Sequence, residues 1–174
     1  MQKLLGFARA DHRRVFAIAL PMMISNIAAP LLGLVDTAII GHLPNSVYLS
    51  SVAIGAMVVS FIYLLAVFLR MATTGAIAQA FGADDQTEQH QLFTHGILTA
   101  LILGVVIISL SPFITSVSLW LVAPDPKLLN YATDYIQIRL WSAPAALTTL
   151  ICLGVLLGRQ DSRRAMWLVI ITNF

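Results

Sequence analysis

Residues 19–41 read ALPMMISNIAAPLLGLVDTAIIG, an apolar run with one carboxylate, Asp36, in its second half. About 20 predominantly apolar residues suffice to cross a bilayer, so the run predicts a transmembrane helix. An Asp within hydrocarbon is unfavourable by roughly 2.5–3.5 kcal/mol on insertion scales, so such residues face a bundle interior or a wet cavity and handle ions or protons. Pro21 and Pro30 lie upstream in the same run and predict a bend. At 100° per residue Asp36 shares a helix face with Ala29 and Ser25. Ser25, Ala29, Gly33, Thr37 and Gly41 form a ridge of small residues four apart, a pattern that lets membrane helices approach closely. The ridge adjoins Asp36, so the carboxylate is expected to look into the bundle. The competing reading places it near the outer end, reaching headgroups.

The composition of the chain agrees with a membrane protein. It is 59% hydrophobic and 10% charged over 174 residues, against roughly 45–50% and 25% in soluble domains. The expected fold is an all-α integral membrane bundle. Residues 1–14 form a short basic segment, followed by spans at about 15–41, 50–81, 95–121 and 128–157 and the start of a fifth at 165–174. The first apolar run is too long for a signal-peptide core and is read as retained. The polar stretch GADDQTEQHQ (82–91) and the turn VAPDPK (122–127) read as loops, as does GRQDSRR (158–164). Four spans and a stub are read as the N-terminal part of something longer.

Positive charge sets the orientation. With the N-terminus in the cytoplasm, the inner segments carry Lys3, Arg9, Arg13, Arg14, Arg159, Arg163 and Arg164, and the outer ones carry Lys127. Arg70 and Arg139 lie inside apolar runs. Each is a possible supporting residue for transport, although pairing, lipid contact or snorkelling is the blander role. Asp134 and Arg139 fall roughly 140° apart on a helix and are not a ready pair. Prolines 112 and 144 are further bend candidates. Tyr48, Tyr63, Trp120, Tyr131, Tyr135 and Trp141 fit an interfacial belt.

Other chemistries find little support. Cys152 is alone, which excludes an internal disulfide framework and a cysteine metal cluster. His90 and His95 have no further ligands beside them, and no metal or cofactor site is expected, sodium at Asp36 excepted. No phosphate-binding GxxxxGK[ST] or zinc-binding HExxH motif occurs, and no basic tract suggests nucleic acid.

The stretches ALPMMISNIAAPLLGLVDTAIIGHL, FLRMATTGAIAQAFGADD, IRLWSAPA and LLGRQDSRR together resemble the multidrug and toxic compound extrusion family, in its DinF-type branch. The resemblance implies a transporter of twelve helices in two six-helix lobes, of which this chain would supply most of the N-terminal lobe. It also implies export of cationic or amphiphilic compounds in exchange for protons or sodium across a bacterial inner membrane. A first-helix aspartate fifteen residues after a proline is linked to coupling in that branch, and Pro21 and Asp36 have this spacing. The partners implied are membrane lipids, the exported small molecule and the remainder of the transporter. A lipid-linked oligosaccharide flippase of the same superfamily is the alternative in fold, and a membrane-embedded enzyme or accessory subunit the alternative in class. Such flippases often carry several cationic cavity residues, whereas Arg70 and Arg139 are the two candidates here.

Overall fold

The computed structural model describes residues 16, 19, 20, 23, 27, 34, 35, 38, 39, 41 and 42, and then 46–173. Five helices follow in order: α1 (Ser46–Gly82), α2 (Gln86–Val122), α3 (Pro126–Trp141), α4 (Ala143–Gly158) and α5 (Ser162–Asn173). No strand occurs among the described residues. Two helices, α1 and α2, are each long and apolar enough to cross a membrane, and α3 with α4 makes a third such unit if the bent pair counts as one span. The expected span at 15–41 is described only at scattered positions.

At 1.5 Å per residue, the 37 residues of α1 or α2 reach about 55 Å, well beyond a hydrocarbon core of about 30 Å. The expected loop at 82–91 shrinks accordingly. Its second half is the first turns of α2, because Asp85 caps the helix by accepting the Glu88 N–H at 2.9 Å. Asp85-Gln86-Thr87-Glu88 has the spacing of a capping box, with an acid at both ends. His90 and His95 thus lie on a helix and not in a loop. Asp84 completes the three-residue turn with φ 55°, and the Asp85 N–H reaches back to the Ala80 carbonyl at 3.0 Å.

The expected fourth span is two helices bent by 49°. Proline explains the break. Pro144 lies in the first turn of α4 and has no N–H to donate to the last turn of α3. Ser142 fills the gap locally, its N–H bonding to the Arg139 carbonyl at 3.2 Å and its Oγ donating to the same carbonyl at 2.7 Å. Pro112, by contrast, sits inside an uninterrupted α2.

The long helices α1 and α2 run antiparallel, and the bent α3–α4 unit packs along both, with α5 against α4. The core is a thin seam of two clusters. Val58, Leu119, Ala132, Ile136 and Leu140 form one, and Ala100, Leu147 and Ile151 the other, with Ile107 packed against both. Outward faces carry large apolar side chains such as Phe61, Phe68, Met71 and Phe113, each about two-thirds exposed. An apolar surface of that extent is what a lipid solvent accepts and water does not.

Lipid tails are as apolar as leucine, so burial between the helices gains little and close packing must hold them. Glycines supply it. Gly154 and Gly158 of α4 are buried four residues apart, a GxxxG pair facing α1. A Cβ on Gly154 would lie 3.0 Å from the Arg70 carbonyl oxygen, and one on Gly158 would lie 2.8 Å from Ile77 Cβ. Gly55 of α1 receives the ring of Tyr135 in the same way. The ridge expected at 25–41 lies largely outside the described residues.

Candidate functional site

The break between α3 and α4 opens a cleft of about 820 Å³ on one side of the bundle. Its walls come from α1, α3, α4 and α5, and its polar lining is Ser60, Tyr63, Arg139, Ser142, Thr149 and Thr172, among apolar neighbours such as Leu64, Val67 and Leu153. A mostly apolar concavity with a few convergent polar groups is the usual form of a small-molecule site.

The hydroxyls here are oriented. Thr149 donates to the Ala145 carbonyl at 2.9 Å, and Thr172 donates to the Leu168 carbonyl at 2.8 Å. Ser142 donates to the Arg139 carbonyl at 2.7 Å, and Tyr63 reaches that carbonyl at 3.4 Å from across the interface with α1. A hydroxyl has one proton and two lone pairs. With the protons committed to backbone carbonyls, Ser142, Thr149 and Thr172 retain oxygen lone pairs that suit a cation or a hydrogen-bond donor. Arg139 opposes this, since it is exposed in the same lining and carries a positive charge.

The residues singled out from the sequence meet different fates. Asp36, Pro21 and Ser25 lie outside the described residues. Arg139 lines the cleft at the end of α3. Arg70 is half-buried on α1 and does not line it; its carbonyl accepts from Thr74 Oγ1 at 2.8 Å, beside the Gly154 approach. Neither arginine has an ion pair among the described residues, where the pair recorded is Arg164 with Asp161 at 3.2 Å.

Two of the tyrosines expected in an interfacial belt, Tyr63 and Tyr135, have specific neighbours inside the bundle. Tyr63 belongs to the cleft, near the middle of α1, and Tyr135 packs on Gly55. Tyr48 and Tyr131 do meet edge to face, with ring centroids 5.0 Å apart. Ser60, Ser142, Thr149 and Thr172 were not anticipated. Hydroxyl residues in apolar runs are the signal that would have found them, Ser142 most of all, because it precedes Ala143-Pro144. Among the described residues no cluster of three metal-ligating side chains occurs.

Comparison with known proteins supplies the context for this cleft. The family model described as MatE matches residues 21–174. The chain is 42% identical over 169 residues to DNA damage-inducible protein F of Escherichia coli K12, covering 97% of this chain and 37% of that protein. It is 32% identical over 137 residues to a probable multidrug resistance protein NorM of Shewanella oneidensis, covering 76% of this chain and 28% of that one. Multidrug export protein MepA of Staphylococcus haemolyticus is 27% identical over 127 residues, which are 72% of this chain and 28% of the relative. The chain therefore spans about a third of the length of these relatives. No solved structure matches it.

Proposed function

Because the chain belongs to the MatE family, we propose that it forms part of the N-terminal lobe of a secondary antiporter that exports cationic or amphiphilic compounds in exchange for protons or sodium. The chain would act with the remainder of the transporter, in a bacterial inner membrane and with its N-terminus in the cytoplasm.

The observation that carries the reading is the cleft at the α3–α4 break. It offers apolar walls to the body of an amphiphile and hydroxyl lone pairs to its cationic end. The named activities of the relatives, multidrug resistance and multidrug export, agree with such a cargo. A broken helix beside a binding cleft also supports alternating access, since discontinuous helices at such sites free backbone groups and provide a place for bending.

Asp36 is the proposed coupling group. A carboxylate within this apolar run would attract sodium or a cationic drug, and a proton on it would remove that attraction. Coupling requires only that ion and drug favour different conformations. Pro21 is proposed to let the first helix bend between them. Arg70 and Arg139 are proposed as supporting residues.

The test uses the complete protein in proteoliposomes loaded with a lipophilic cationic dye. Efflux is measured with an imposed proton gradient and, separately, with an imposed sodium gradient. Asp36→Asn is expected to abolish gradient-driven efflux while the protein still elutes as a single folded species. Efflux that persists unchanged in the variant would overturn the assignment.

A further inference from the structure

A second groove, of about 530 Å³, opens between the first turns of α2, the last turns of α4 and the side of α5. It is separate from the cleft at the helix break, sharing no lining residue with it. We propose that this groove binds an anionic phospholipid of the cytoplasmic leaflet, with the phosphate at Arg159 and His90 and an acyl chain over Phe93, Leu156 and Leu168.

The groove is polar at one end and apolar along its depth. Gln86 and His90 come from the start of α2, and Arg159 immediately follows the end of α4. Because α2 enters the bundle at the end where α4 leaves it, these groups gather at one level. From Gln86 to Phe93 is seven residues, a descent of about 10 Å along the helix. At that end an amide, an imidazole and a guanidinium can meet a headgroup, and below it lie the Phe93 ring, Leu156 and Leu168. A phospholipid has the same order of charge over hydrocarbon.

Charge selects the anionic class. Among the described residues lining the groove, Arg159 is the one with a fixed charge, and no carboxylate is present. The nearby acids are turned to other tasks. Asp85 caps α2, Asp161 pairs with Arg164 at 3.2 Å, and neither these nor Asp84 and Glu88 line the groove. The Arg159 guanidinium has no ion pair among the described residues and is exposed. A basic pocket between membrane helices on the cytoplasmic side is suited to an anionic headgroup, and each such cation near an anionic surface is worth a preference of about fivefold.

The proposal rests on the cytoplasmic placement of this end, though not on which ion or drug the protein moves. It is tested by native mass spectrometry of the complete protein in detergent, with phosphatidylglycerol or phosphatidylcholine added at equal concentration. The unaltered protein should retain phosphatidylglycerol about fivefold better. Arg159→Gln should remove that preference, and Leu168→Asn should weaken retention of both lipids. Excess inorganic phosphate should not displace the lipid, because phosphate makes no contact with the apolar floor. Equal retention of the two lipids, an unaltered preference in Arg159→Gln, or full displacement by phosphate would overturn it. The readout is lipid binding, so a failure of gradient-driven efflux in the Asp36 test leaves this result unaffected.

Discussion

Gly104 of α2 lies directly against Pro144 of α4: a Cβ added to the glycine would stand 2.6 Å from the proline Cα and 2.8 Å from its nitrogen. The neighbour is backbone at the very position where the α3–α4 unit bends, so it has little freedom to give way. The bend and the glycine are therefore one packing arrangement.

Gly104→Ala is accordingly expected to destabilise the protein. The substitution gains up to about 1 kcal/mol in helix propensity, but overpacking against a fixed neighbour costs about 1–3 kcal/mol. The clash wins. A lowered thermal midpoint of the complete protein in detergent is the expected result, and a raised midpoint would mean that α2 and α4 separate without cost.

Gly158 and Gly75 make a controlled pair. A Cβ on Gly158 would lie 2.8 Å from Ile77 Cβ and 2.9 Å from the Thr74 carbonyl oxygen, whereas one on Gly75, on the exposed side of α1, meets nothing within 4 Å among the described residues. Gly158→Ala should lower the thermal midpoint through the same overpacking. Gly75→Ala should hold or raise it, by up to about 1 kcal/mol of propensity. Parallel measurement of the two variants separates helix packing from helix propensity, and the same sign for both would contradict the α1–α4 interface.

Tyr63 and Ser142 both reach the Arg139 carbonyl, at 3.4 Å and 2.7 Å, and their oxygens are 3.5 Å apart. Each bond contributes about 0.5–1.5 kcal/mol. Because the two share an acceptor, Tyr63→Phe and Ser142→Ala should each destabilise modestly, and their effects should not add. A double-mutant cycle read by thermal or denaturant unfolding is expected to give a coupling of at least about 0.5 kcal/mol. Simple additivity would show that the hydroxyls act apart.

Much of the fold was legible because the signals are local. A long apolar run announces a membrane helix whatever it packs against, which is how α1 and α2 were foreseen. Their ends were less legible. Polar residues at 86–91 suggested a loop, yet Asp85 and Glu88 show how a capped helix continues into water with polar side chains. Pro144 was recognised as a possible bend, but Pro112 has the same chemistry and leaves α2 unbroken. A proline's missing N–H sets the opportunity for a break, and the neighbouring helix decides whether it is taken. The glycine at 104 accommodates Pro144 at such a break.

The sequence by itself determined that this is an apolar helical chain of the MatE family and singled out Asp36, because composition, periodicity and the cost of a charge in hydrocarbon belong to individual segments. Only the tertiary structure decided that Tyr63, Arg139, Ser142, Thr149 and Thr172 share a cleft, and that Gly154 and Gly158 meet α1 while Gly75 meets nothing among the described residues. Those facts depend on which faces touch. In a membrane bundle that choice rests on close packing between surfaces of similar hydrophobicity, and no single helix carries the information.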